Sequence, residues 1–150
     1  MKCLTIRQPH AGAIFHPTAP KLVENRTQAY KHRGPLLIHT AQTLADASAF
    51  DLYEQITGEK VPVLGAPAAS DARWSVGAII GVVEITSVHS SADCGCRCSP
   101  WAFKYRKHHE LTRPRLFHRP VPALGKQGLW EPDQATLTQV VRELNTAMTR

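Results

Sequence analysis

Val76-Gly77-Ala78-Ile79-Ile80-Gly81-Val82-Val83-Glu84-Ile85-Thr86-Ser87-Val88 carries the densest strand signal in the chain. Val76, Ile79, Ile80, Val82, Val83, Ile85 and Val88 are β-branched, which stiffens χ1 and suits a pleated, half-buried surface. The run predicts a strand over 76–88, with Gly77 and Gly81 marking bulges or close packing. Upstream, Val61 to Arg73 is rich in proline and alanine, lacks periodicity and reads as a surface loop. Before it, Leu44 to Ile56 predicts a helix, because Ala45, Ala49, Leu52, Tyr53 and Ile56 recur at helical spacing and Gly58 supplies a stop. Leu36-Leu37-Ile38-His39-Thr40 reads as a buried strand, Lys21 to Arg26 as a short one and Lys2 to Ile6 as the first. Ala11 to Phe15 is expected as a short helix after Pro9. Downstream, a Ser/Cys/Gly loop leads to strand fragments at Leu116-Phe117-His118 and Val121, bounded by Pro114, Pro120 and Pro122. Leu124 to Trp130 is a glycine-punctuated strand or turn. Asp133 is placed to cap a terminal helix over about 133–148, where Leu137, Val140, Val141, Leu144 and Met148 form an apolar stripe. Short strands with few helices and no βαβ alternation predict the α+β class, a small β-barrel with flanking helices.

The 150 residues, 43% apolar and 20% charged, match one globular core and exclude wholesale disorder, so residues 1–150 are expected to form a single domain. No apolar run approaches the roughly 18–20 residues of a membrane-spanning helix, so no membrane partner is expected. MKCLTIRQPH lacks a charged-then-apolar leader pattern, so a cytoplasmic protein is expected. The net charge of +6 is concentrated in one place. From Arg97 to Lys126 there are eight cations and one acid, Glu110, for +7, while the rest of the chain has ten cations and eleven acids, for −1. This segment reads either as a solvated basic loop or as a phosphate-contacting face. Its aromatics, Trp101, Phe103, Tyr105 and Phe117, suit either base stacking or anchoring to the core.

Cys3 lies in the first strand and reads as a small buried apolar residue. Cys94, Cys96 and Cys98 form a C-x-C-x-C run. Zinc sites generally use wider spacing, yet such a run can donate two thiolates, and His89, His108 or His109 can add a ligand. The other reading is three reduced thiols in an exposed loop with no cofactor.

Several motifs occur together in a fixed order. They are Leu4-Thr5-Ile6-Arg7-Gln8-Pro9, Lys21-x-x-Glu24-Asn25-Arg26, and Tyr30-x-x-Arg33-Gly34-Pro35-Leu36-Leu37-Ile38-His39. Gly77-Ala78-Ile79-Ile80-Gly81-Val82-Val83-Glu84, Ser99-Pro100-Trp101-Ala102 and Gly128-Leu129-Trp130 follow. As a set covering most of residues 3–130 they resemble the ASCH domain family of the PUA-like superfamily. The resemblance implies a small β-barrel with flanking helices and an RNA-linked function. A branch of that family hydrolyses the acetyl amide of N4-acetylcytidine nucleosides with a Lys, a Thr and a Glu. Lys21 matches its lysine, Glu24 stands where its threonine would be, and its glutamate has no assigned position here. Ala19 also holds a position that is often glycine in the family.

On an extended strand Glu24 and Arg26 share a face, and a turn at the strand's entry can aim Lys21 beside them. Such a trio suits a polar, partly anionic ligand: Arg offers a planar fork, Lys a point charge, and Glu an acceptor for an exocyclic amine. The bare spacing equally fits an ion pair that ties the strand to the barrel. With the resemblance, the expected pocket residues are Gln8, Lys21, Glu24, Arg26, Ser99 and Trp101. The expected nucleic-acid contacts are Arg7, Arg33, Lys104, Arg106, Lys107, Arg113 and Arg115. The expected function is binding of nucleic acid, RNA before DNA, or of a nucleoside or nucleotide. The alternative is a small hydrolase or ribonuclease in which Lys21 and Glu24 are catalytic and His39 is a candidate base. A third reading is an accessory protein that docks a partner through the basic segment.

Overall fold

In the computed structural model, which describes residues 1–62, 64 and 71–148, the β-branched run from Ala78 onward forms most of a 13-residue strand that continues to Ser90. In chain order the elements are β1 (Cys3–Ile6), α1 (His10–Ala13), β2 (Val23–Arg26), β3 (Gly34–Thr40) and α2 (Ala47–Thr57). A 3-10 turn (Ala72–Trp74) leads to β4 (Ala78–Ser90), α3 (Ser91–Cys94), β5 (Lys107–Pro122), β6 (Leu129–Trp130) and α4 (Gln134–Met148). The six strands make one sheet in the order β2-β5-β4-β3-β1-β6. Only β1 and β3 run parallel; the other pairs are antiparallel. The sheet curls into a half-barrel, so β2 at one end comes round to β1 near the other, and the Arg26 Nη2 donates to the Thr5 carbonyl at 3.0 Å. The α+β barrel-like architecture with flanking helices is the one the sequence predicts.

Both faces of the sheet are covered, which is why the strands read as apolar runs rather than clean alternation. On one face Leu4, Ile6, Leu36, Ile38, Ile80, Val83 and Ile85 pack with Ile14 and Phe15. On the other, Cys3, Leu37, Ile79, Val82, Phe117, Val121 and Trp130 pack with Val140 of α4, flanked by Leu137 and Leu144. Asp133 caps α4 by accepting from the Thr136 amide at 2.8 Å. Val141 lies outside the helix's buried stripe at 46% exposure, and the Met148 side chain lies outside the described residues. A third cluster joins Tyr53 of α2 to Trp74 and Trp101. Of the loop expected over 61–73, residues 63 and 65–70 lie outside the described residues.

One expectation is corrected. Residues 107–122 are not fragments within a basic loop but one 16-residue strand, β5. Its prolines fit for two reasons. β2 pairs only with Lys107 to Glu110, so the remainder of β5 needs no ladder donors on that side. A bulge also absorbs Arg113 and Pro114, because Val82 pairs with Arg115 while Glu84 pairs with Thr112. Arg113 takes φ 55° there. No helix among the described residues is long and apolar enough to cross a membrane.

Candidate nucleic-acid interface

The curl of the sheet leaves a cavity of about 830 Å³ between β1, β2, the segment after β3, and the loops carrying Phe103–Arg106 and Ala123–Gly128. That volume lies within the range of small-ligand sites. At its base sits the Lys21-Glu24-Arg26 trio. Lys21 and Glu24 are almost wholly buried, at 1% and 5% exposure. Lys21 Nζ donates to Glu24 Oε1 at 2.9 Å and to the Val23 carbonyl at 2.8 Å. Arg26 Nε and Nη2 donate to Glu24 Oε2 at 3.1 and 2.9 Å. Burial alone would raise the Glu24 carboxyl, but attraction from Lys21 and then Arg26 outweighs it and holds the group down at about 2. Glu24 is therefore an anion shared between two cations. Among the described residues no hydrogen bond uses Arg26 Nη1, and Lys21 spends two of its three donors, so both cations retain hydrogen-bonding capacity at the cavity.

Five cations line the cavity, namely Arg7, Lys21, Arg26, Arg106 and Lys126, against the single carboxylate of Glu24. Arg7, Arg106 and Lys126 form no ion pair among the described residues. His10 also faces the cavity, with its ring edge-on to Phe103 at 5.8 Å and its Nδ1 buried without a partner. Burial and then the Lys21 charge lower His10 to about 4, so it is a neutral imidazole near pH 7. His39 lines the cavity too, but both its nitrogens are used. Nε2–H donates to the Ala123 carbonyl at 2.7 Å, and Nδ1 accepts from Thr5 Oγ1 at 3.1 Å, while Thr5 Oγ1 accepts from Trp130 Nε1 at 3.0 Å. This network holds His39 as a structural post rather than a base.

Several residues expected at the pocket stand elsewhere. Gln8 is fully buried; its amide donates to the Arg73 and Ser75 carbonyls and accepts from the Gly12 amide, so it pins α1 to the 3-10 turn. Ser99 accepts from the Trp101 amide at 3.1 Å within a turn. Trp101 is 2% exposed and packs beside Tyr53, so it plugs the fold, and Phe103 is the aromatic that reaches the cavity. Arg33 turns its Nη1 onto the Tyr30 and His32 carbonyls in an exposed loop. Lys104, Lys107, Arg113 and Arg115 do not line the cavity; of the seven expected contacts only Arg7 and Arg106 do. His10 and Lys126 went unread as site residues, although His10 directly follows Arg7-Gln8-Pro9 and Lys126 lies between Gly125 and Gly128.

The cysteines occupy a different place. Cys3 is in the core, and Cys94 and Cys98 meet His89 and His108 at the Ser90/Lys107 end of the β4–β5 pair. Cys96 stands outside that group. His109 does too: its Nε2 accepts from the Tyr30 amide at 3.0 Å, and its Nδ1 donates to the Glu24 carbonyl at 3.2 Å.

No protein-family model matches the chain, and no curated protein matches it. Among solved structures the fold is similar to that of a Tyr-to-Phe mutant of ZmASCH from Zymomonas mobilis. The TM-score is 0.57 at 12% identity, over 94% of this chain and 96% of that one. At that identity the likeness concerns the fold. The six-stranded half-barrel with its flanking helices has the fold of that ASCH protein.

Proposed function

We propose that this ASCH-fold chain binds single-stranded nucleic acid, RNA in the first instance, and seats one nucleotide in the half-barrel cavity. One observation carries the reading: a cavity of nucleotide-binding size lined by five cations and one carboxylate, in which that carboxylate is already neutralised. The net field inside is positive, and the unpaired cations Arg7, Arg106 and Lys126 stand at its walls to take phosphate oxygens. Arg26 and Lys21 keep donors for a base edge or a sugar hydroxyl, and His10 Nδ1 is a ring nitrogen without a partner. Phe103 offers a face for base stacking, worth about 1–3 kcal/mol where it forms. The preference for RNA over DNA comes from the family resemblance. The charge and shape speak for any ligand that bears a base and a phosphate.

The salt dependence of binding tests this. A short single-stranded RNA should bind with a log–log salt slope of about −2, since three phosphate contacts on a single strand contribute roughly −0.7 each. Arg106→Ala and Lys126→Ala should each weaken binding and flatten the slope by about 0.7, whereas Arg113→Ala should leave the slope unchanged. Binding that ignores salt, or that Arg113→Ala flattens as much as Arg106→Ala does, would refute the cavity as the contact surface.

A hydrolytic reading, on RNA or on a modified nucleoside such as N4-acetylcytidine, has one observation in its favour. His10 is neutral and unpartnered beside the charge of Lys21. Turnover lost in His10→Gln with binding retained would support it.

A further inference from the structure

We propose that His89 Nε2, Cys94 Sγ, Cys98 Sγ and His108 Nδ1 form a structural zinc site that locks the end of the β4–β5 pair. Four elements of chain converge there: His89 near the end of β4, Cys94 at the end of α3, Cys98 in the following turn and His108 at the start of β5. His89 and His108 are register partners across the sheet, so the ladder itself brings the two imidazoles together. The thiols arrive by local geometry. Gly95 and Cys96 adopt consecutive left-handed conformations, φ 58° and 60°, which reverse the chain and return Cys98 to Cys94.

The four donor atoms lie within 4.8 Å of one another. A tetrahedral zinc, with Zn–S about 2.3 Å and Zn–N about 2.0–2.1 Å, has edges of about 3.8 Å for S···S, about 3.6 Å for S···N and about 3.3 Å for N···N. The separations are 3.6 Å for Cys94 Sγ–Cys98 Sγ, 3.4 Å for each sulfur to His108 Nδ1, and 3.3 Å between His108 Nδ1 and His89 Nε2, with His89 Nε2 within 4.8 Å of both sulfurs. Each of the first four lies within about 0.2 Å of the tetrahedral edge. His108 is fully buried, and its other nitrogen faces the Phe103 carbonyl at 2.7 Å. That bond fixes the tautomer in which Nε2 carries the proton and the Nδ1 lone pair faces the thiols, the outer support that metal-bound histidines require.

Two thiolates and two imidazoles in a tetrahedron select zinc among the common divalent cations. With four protein ligands no position is left open for water or substrate, so the ion's role is structural. Binding converts the Cys94 and Cys98 thiols to thiolates and releases up to two protons. The ligand spacing is Cys-x3-Cys, within the ordinary two to four residues, and Cys96 is not a ligand.

The test uses the full chain, purified reduced and without chelator. Elemental analysis should find close to one zinc per chain. In competition with a chromophoric chelator, Cys98→Ser and His89→Ala should lower zinc affinity more than tenfold, and Cys96→Ser should leave it unchanged. Cobalt(II) added to the metal-free chain should give the visible bands of a tetrahedral ion and near-ultraviolet thiolate charge transfer. Cys98→Ser should lower that charge transfer to about half. The cobalt spectrum is read on the unaltered chain and so does not depend on any variant folding. Absence of both zinc and cobalt bands, an equal loss in Cys96→Ser, or a chain two mass units light from a Cys94–Cys98 disulfide would each overturn the proposal.

Discussion

Glu24 accepts from Lys21 through one oxygen and from Arg26 through the other, so its charge holds two cations at once. Glu24→Gln leaves Lys21 buried without a counter-charge, and breaking a buried pair in that way costs about 3–5 kcal/mol. Urea unfolding should report a loss of that size; a loss under about 1 kcal/mol would show that Lys21 finds another partner. Acid acts on the same chemistry in two windows. Burial, reinforced for His10 by Lys21, lowers His10 to about 4 from 6.5 and lowers His39 and His109 as well. The unfolded chain therefore takes up protons first, and stability falls as pH drops from 6.5 towards 4. For Glu24 the folded value of about 2 lies below the ordinary 4.5, so its contribution is complete above 4.5 and is lost as pH falls towards 2. Melting temperature against pH should fall through both windows. His10→Gln should flatten the first and leave the second intact, whereas a slope that His10→Gln does not change would assign it to His39 and His109.

At the scale of elements, β4 was legible because its β-branched residues are buried on both faces, whereas β5 was not. β5 carries arginines and prolines over most of its length, and a strand that is half edge and twice bulged bears no sequence alternation. The partner of that irregularity is Gly81. A Cβ there would stand 2.5 Å from the Arg115 carbonyl and 2.7 Å from the Phe15 ring. Gly81→Ala should therefore cost about 1–3 kcal/mol, read as a shift in the urea midpoint with an unchanged m-value. A neutral result would show that β5 yields at the neighbouring bulge. The Cys loop taught the same lesson in smaller compass. Its even spacing hid a Cys-x3-Cys pair, because the left-handed turn at Gly95 and Cys96 decides which thiols face inward.

Over the whole molecule, the sequence located the positive charge but not the surface it makes. The +7 segment is divided by the fold. Arg106 and Lys126 turn into the cavity, Arg113 and Arg115 run along β5 outside it, and Arg7 joins from the opposite end of the chain. The trio was legible because three charged side chains lie within six residues; its setting was not, because the cavity's walls come from loops some hundred residues apart. The curl of the sheet has a mechanical consequence. Between β2 and β1 the half-barrel is joined by a side chain, the Arg26 guanidinium reaching the Thr5 carbonyl, and not by a ladder. A clasp of that kind can open without breaking backbone pairing. The same guanidinium lines the cavity, and its Nη2 serves the Thr5 carbonyl and Glu24 at once, so the group that closes the seam is also part of the cavity's wall. Opening the seam and reshaping the cavity are thus one event.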